Sequence, residues 1–116
     1  MRLLVCGDRN WTNKDLIKLW IQELKPHIII HGAAKGADKL AGEIANELGI
    51  TVSEFPADWN KFGKSAGPIR NLQMLSEGKP DRVLAFHNHI NNSKGTKHML
   101  GAAERAGLIC TLISEN

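Results

Sequence analysis

A chain of 116 residues, 42% apolar and 23% charged, has the size and composition of one globular domain with a packed core. Fifteen Lys and Arg against 12 Asp and Glu leave a net charge of +3, which favours an anionic partner, although the basic residues are scattered rather than clustered. No apolar run approaches the roughly 20 residues of a membrane span and no signal pattern opens the chain, while Cys6 and Cys110 each sit in an apolar strand-like run; buried thiols in a reducing cytoplasmic compartment are expected, not a disulfide, a metal pair or a membrane partner.

Arg2 to Cys6 reads as a buried strand, with Gly7-Asp8-Arg9-Asn10 as its turn. Thr12 followed by Asp15 has the pattern of a short capping box. Leu16, Ile17, Leu19, Trp20 and Leu24 then form a helical stripe that Pro26 ends. Ile28 to Ile30 is a second strand. The turn His31-Gly32-Ala33-Ala34-Lys35-Gly36-Ala37-Asp38 follows and opens a helix whose face is Leu40, Ala41, Ile44, Ala45 and Leu48, closed by Gly49. Ile50 to Phe55 is a third strand. Pro56 to Gly67 has no clear period and reads as a long loop of the lid or binding type. A helix is expected from about Pro68 to Gly78, and Asp81 to Phe86 is a fourth strand. His87 to Lys94 is a polar turn, Gly95 to Ala106 a helix capped by Gly107, and Leu108 to Ile113 the last strand.

This alternation predicts an α/β, Rossmann-like three-layer sandwich: a five-stranded parallel sheet with helices on both faces, as a single domain over residues 1–116. Ligands bind such sheets at the C-terminal edge where strand order reverses. Here that point lies beside the first strand and joins the turns after strands one and four.

The chemistry concentrates in the turns Gly7-Asp8-Arg9, His31 to Asp38, Gly67-Pro68-Ile69-Arg70-Asn71 and Ser93-Lys94-Gly95-Thr96. Small residues let a ligand approach the backbone, and the unpaired N–H groups of a new helix attract anions. Neither G-x-G-x-x-G nor the P-loop pattern occurs, so a standard NAD or ATP site is not expected and no cofactor is assigned. Lys35, between Gly32 and Gly36, suits a phosphate. Asp38 either complements the helix dipole or bonds a ribose or base. Arg70 near a helix start is a cation that the dipole opposes, which points to an anionic partner, and Asn71 orients it or reads a ligand. His31, His87, His89 and His98 lack metal-ligand spacing, so no metal is expected. Trp11, Trp59 and Phe62 can stack on a base or pack the long loop. Ser93 and Thr96 are helix caps that would also donate to a phosphate. The candidate ligand-binding set is Gly7, Arg9, Asn10, Trp11, His31, Gly32, Lys35, Gly36, Asp38, Arg70, Asn71, Phe86, His87, Lys94, Gly95 and Thr96.

Val5-Cys6-Gly7-Asp8-Arg9-Asn10-Trp11, His31 to Asp38, Phe55-Pro56-Ala57-Asp58-Trp59, Gly67 to Asn71 with Met74, and Gly95-Thr96 with Met99 together resemble the SLOG superfamily of Rossmann-like nucleotide-binding domains. The resemblance covers nearly the whole chain and is nearest to a small single-domain branch of bacterial and phage proteins. Larger members include cytokinin-activating nucleotide phosphoribohydrolases and the DNA-processing protein that loads recombinase on single strands, and they imply a nucleotide site at this sheet edge. The chain departs from them in two places. Their Pro-Gly-Gly turn is replaced by Phe86-His87-Asn88-His89-Ile90-Asn91-Asn92, and the Glu that the phosphoribohydrolases need three residues after the Thr is Met99. Cleaving an N-glycosidic bond develops positive charge on the ribose, which a carboxylate stabilises.

Three functions follow. The first is a module that binds a nucleotide or nucleotide-derived phosphorylated ligand, as a sensor or sequestering protein. The second is a hydrolase of an N-glycosidic or phosphoester bond, and the third a single-stranded DNA binder. The absent Glu ranks the first above the second. An aromatic content of 5%, no Tyr and a charge of +3 rank nucleic acid last. No catalytic residue is assigned. A homodimer or higher homo-oligomer is expected, because Leu16, Leu19, Trp20 and Leu24 exceed what a five-stranded sheet covers.

Overall fold

Apolar runs bounded by turn residues on both sides are best buried in a parallel sheet, where both strand faces are covered. The computed structural model, which describes residues 1–116, has five such strands: β1 (Arg2–Gly7), β2 (Ile28–His31), β3 (Thr51–Glu54), β4 (Arg82–Phe86) and β5 (Ile109–Ile113). They form one all-parallel sheet in the order β3-β2-β1-β4-β5. Leu3 is in register with Ile29, and Val5 with Leu84.

Successive residues face opposite layers. Leu3, Val5, Ile29, Leu84 and Phe86 pack with Ile17 and Ile21 of α1 (Lys14–Leu24) and with Ala41, Ile44 and Ala45 of α2 (Ala37–Glu47). Leu4, Cys6, Ile30, Val83 and Ala85 pack on the other side with Met74, and with Met99 and Ala103 of α5 (Lys94–Arg105). The expected sandwich is the observed one. No helix is long and apolar enough to cross a membrane.

Three local expectations are corrected. Asn13, not Thr12, caps α1, its Oδ1 accepting from the Leu16 N–H at 3.0 Å; an amide side chain one residue later reaches the same orphan donors. The stretch expected as a loop is largely helical. Asp58 caps a short turn, α3 (Trp59–Phe62), which runs through a 3₁₀ turn at Gly63–Ser65 into α4 (Ala66–Gln73) and a π turn at Met74–Gly78. The α1 stripe is also no free face: Leu16, Trp20 and Leu24 pack against the core, and Leu19, 54% exposed, is left outside it.

Candidate functional site

Strand order reverses at β1, whose neighbours are β2 and β4. The chain leaving β1 crosses the start of α2. The Asp8 N–H donates to the Phe86 carbonyl at 2.8 Å, and the Asp8 carbonyl accepts from Trp11 at 3.1 Å and Ala37 at 3.2 Å. Gly36 (φ +84°) lets these backbones meet, since a Cβ there would collide with the Asp8 carbonyl oxygen. Above this crossing lies a cavity of about 470 Å³. Its walls come from the β1 turn (Cys6, Gly7, Asp8, Arg9), the α2 turn (Ala34, Asp38), the helical stretch after β3 (Trp59, Lys64, Gly67, Pro68, Arg70, Asn71, Met74) and the α5 side (His87, Lys94, Gly95, Thr96, His98, Met99).

The β2–α2 turn is organised by its own side chains. Asp38 Oδ2 accepts from Gly32 N–H at 2.9 Å and Ala34 N–H at 3.4 Å, and His31 Nδ1 accepts from Ala33 N–H at 2.9 Å. With Ala37 bonded to Asp8, most of the amides expected to be free for a phosphate are engaged internally, those of Lys35 and Gly36 excepted. Burial pushes the Asp38 carboxyl up to about 6, against the pull of the Arg70 guanidinium and the two amides. Gly32 is the seat of that guanidinium, because a Cβ on it would meet Arg70 Nη1.

Arg70 spans two elements. Its Nη1 donates to the Gly32 carbonyl and its Nε to Asn71 Oδ1 at 3.0 Å. Because α4 begins at Ala66 and continues into the π turn at Met74–Gly78, Arg70 lies past the first turn in the interior of the helical run, so the expected conflict with the dipole is absent. Asn71, 5% exposed, donates onward to the Gly95 carbonyl at 3.3 Å and contacts His98 Nδ1 at 3.2 Å. His87 Nε2 stands 3.9 Å from Asp8 Oδ2.

The start of α5 differs from that of α2. Ser93 Oγ accepts from the Thr96 N–H at 3.0 Å. The Lys94 and Gly95 N–H groups donate to nothing in the protein, and the hydroxyl of Thr96 also has no partner there. These groups face the cavity together with the exposed cations Arg9, Lys64 and Lys94.

Of the sequence-derived candidates, the fold gathers Gly7, Arg9, Asp38, Arg70, Asn71, His87, Lys94, Gly95 and Thr96 around this cavity. The others lie elsewhere. Trp11 and Phe86 are core residues, their rings tilted 59° at 5.6 Å, with the Trp11 indole N–H on the Asn13 carbonyl. Asn10 and Lys35 are exposed outside the walls, while Gly32 and Gly36 are packed under Arg70 and Asp8. His31 lines a smaller cavity of about 250 Å³ on the α2–β3 side. Its Nε2 has no partner, with Glu54 at 3.8 Å, and burial lowers its pKa. Lining residues outside the candidate set are Lys64, which fell in the expected loop, Trp59, which had been read as either a stacking or a packing residue, and Asp8, Met74, Met99 and His98. His98 sits four residues after Lys94 on one face of α5, a spacing that could have marked it.

The sequence profile of the YspA, cpYpsA-related SLOG family (YAcAr) matches residues 1–62. Over 119 aligned residues the chain is 35% identical to the Gene 61 protein of Mycobacterium phage D29, covering 92% of this chain and 91% of that protein. The chain belongs to the YspA, cpYpsA-related SLOG family, a membership that together with the all-parallel sheet fits a nucleotide-related role.

Proposed function

We propose that this SLOG-family chain is a single-domain cytoplasmic module that binds a nucleotide or nucleotide-derived phosphorylated ligand at the C-terminal edge of its sheet, as a sensor or sequestering protein. The observation that carries the reading is the α5 start: unengaged N–H groups at Lys94 and Gly95 and the free Thr96 hydroxyl open into the same cavity as Arg9, Lys64 and Lys94. Helix N-termini with nearby cations favour anions. The cavity volume of about 470 Å³ falls in the range of small-ligand sites. Arg70 and Asn71 position the walls in this reading, since their bonds run to Gly32, Gly95 and His98.

Binding without cleavage is the better-supported form. Met99, in the place where the phosphoribohydrolases need Glu, is 1% exposed in the cavity wall, and Asp38 is committed to the amides of its own turn. The test is a thermal-shift screen over mononucleotides, cyclic nucleotides, NAD and ADP-ribose, with the ligand recovered and analysed afterwards. A ligand that binds the folded chain alone stabilises it by about 2.7 kcal/mol at a hundredfold excess over Kd. The reading expects stabilisation and intact ligand. No shift from any phosphorylated compound contradicts binding, and a cleaved ligand contradicts the sequestering role.

A further inference from the structure

The side of the cavity away from the α5 start carries a ring that the phosphate site does not use. Trp11 is buried in the core, and the Phe62 ring lies under Lys61 at 5.1 Å, outside the cavity walls. Trp59 lines the cavity and is 58% exposed. A large flat apolar surface is thus left to water at the mouth of a cleft.

The backbone that carries the ring is fixed. Asp58 fixes α3 at both of its oxygen types, the carboxylate accepting from Lys61 N–H and the carbonyl from Phe62 N–H, each at 3.0 Å. Gly67 opens the space beside it: a Cβ there would lie 3.4 Å from Trp59 Cη2, so the ring rests along the first turn of α4. The cavity wall carries the apolar Pro68, Met74 and Met99 alongside the polar Lys64, Arg70, Asn71 and His98.

We infer that Trp59 is the platform on which the ligand's base stacks, so that the ligand class is a nucleotide with its base attached, not a sugar phosphate. This rests on the anion site proposed above. Stacking on an indole recognises a π face and tolerates different bases. The presence of a base should therefore matter more than its identity.

The experiment titrates AMP and ribose 5-phosphate into the wild type, Trp59→Ala and Trp59→Phe by calorimetry and tryptophan emission. AMP is expected to bind the wild type more tightly than ribose 5-phosphate and to quench its emission. Trp59→Ala should weaken AMP by roughly 10- to 100-fold, as lost base stacking does, leave ribose 5-phosphate unchanged and abolish the quench, with Trp11 and Trp20 reporting that the chain is folded. Trp59→Phe, which keeps a ring, should lie between the two and decides the matter if alanine impairs folding. AMP affinity unchanged in Trp59→Ala, or AMP and ribose 5-phosphate weakened equally, overturns the stacking role while the anion site stands. A Trp59→Ala change in self-association by light scattering, with AMP affinity unaltered, makes the ring an interface residue and also overturns it. If neither probe binds the wild type, the anion site and the platform both fall.

Discussion

Replacing Asp38 by Asn tests the electrostatics of the site wall. The side chain is 4% exposed and holds the Gly32 and Ala34 amides, a role that an amide oxygen can partly keep. Burial moves the carboxyl from 3.8 to about 6 in the folded chain. Folding thus favours the protonated form. The associated stability is fully present below the unfolded value of 3.8 and is lost as pH rises through about 6. The whole span corresponds to about 3 kcal/mol, of which about 2 kcal/mol falls between pH 4.5 and 7.5. His31, whose pKa burial lowers, titrates nearby with the opposite sign, stabilising above its ordinary value and losing that contribution as pH falls. Comparing two proteins that share His31 largely cancels it. Urea unfolding of wild type and Asp38→Asn at both pH values should show the variant gaining about 2 kcal/mol on the wild type as pH rises. Parallel pH profiles would refute the assignment of a raised Asp38 pKa.

Arg70→Ala should destabilise folding by about 1.5–3 kcal/mol, because it removes a charge-assisted bond to the Gly32 carbonyl. The loss should be larger at pH 7.5 than at 4.5, since Arg70 favours ionised Asp38; an unchanged urea midpoint counts against it. Arg70→Lys should not restore the wild-type midpoint, as an ammonium cannot serve both Gly32 and Asn71. Gly36→Ala should cost about 2–5 kcal/mol from its positive φ and the clash with Asp8, whereas Gly95→Ala, with open space around its Cβ, should be near neutral for folding. Calorimetry should find that Arg9→Ala and Lys94→Ala each weaken a nucleoside monophosphate only a few-fold, and less as salt rises, because both side chains are exposed. An affinity insensitive to both substitutions and to salt would remove these cations from the site.

Strands and their order around β1 could be read because apolar runs such as Leu3-Leu4-Val5 and Val83-Leu84-Ala85 have one good burial arrangement. Gly49 and Gly107 ended their helices visibly, both with positive φ. The helix before Pro68 was not legible, because α3 is four residues long and the positive-φ Gly63 breaks its periodicity. Its invisibility misplaced Arg70 and left Trp59 undecided between stacking and packing. Pro is tolerated throughout a first turn, so Pro68 could not fix which residue began the helix. Composition also cannot distinguish a glycine that admits a ligand from one that admits protein. Gly32 makes room for Arg70 and Gly36 for Asp8, and both had read as parts of a phosphate cradle. Asp38 fills that cradle from within the same turn, accepting from Gly32 and Ala34.

The most direct test of the anion site is a backbone amide NMR titration of the wild-type chain with AMP. The account predicts that the largest shifts fall on Lys94, Gly95 and Thr96, with Gly7 and Arg9 following, while Lys39, Glu43 and Asn46 beside the smaller cavity stay still. Shifts concentrated on Lys39, Glu43 and Asn46, or none at millimolar AMP, would contradict it.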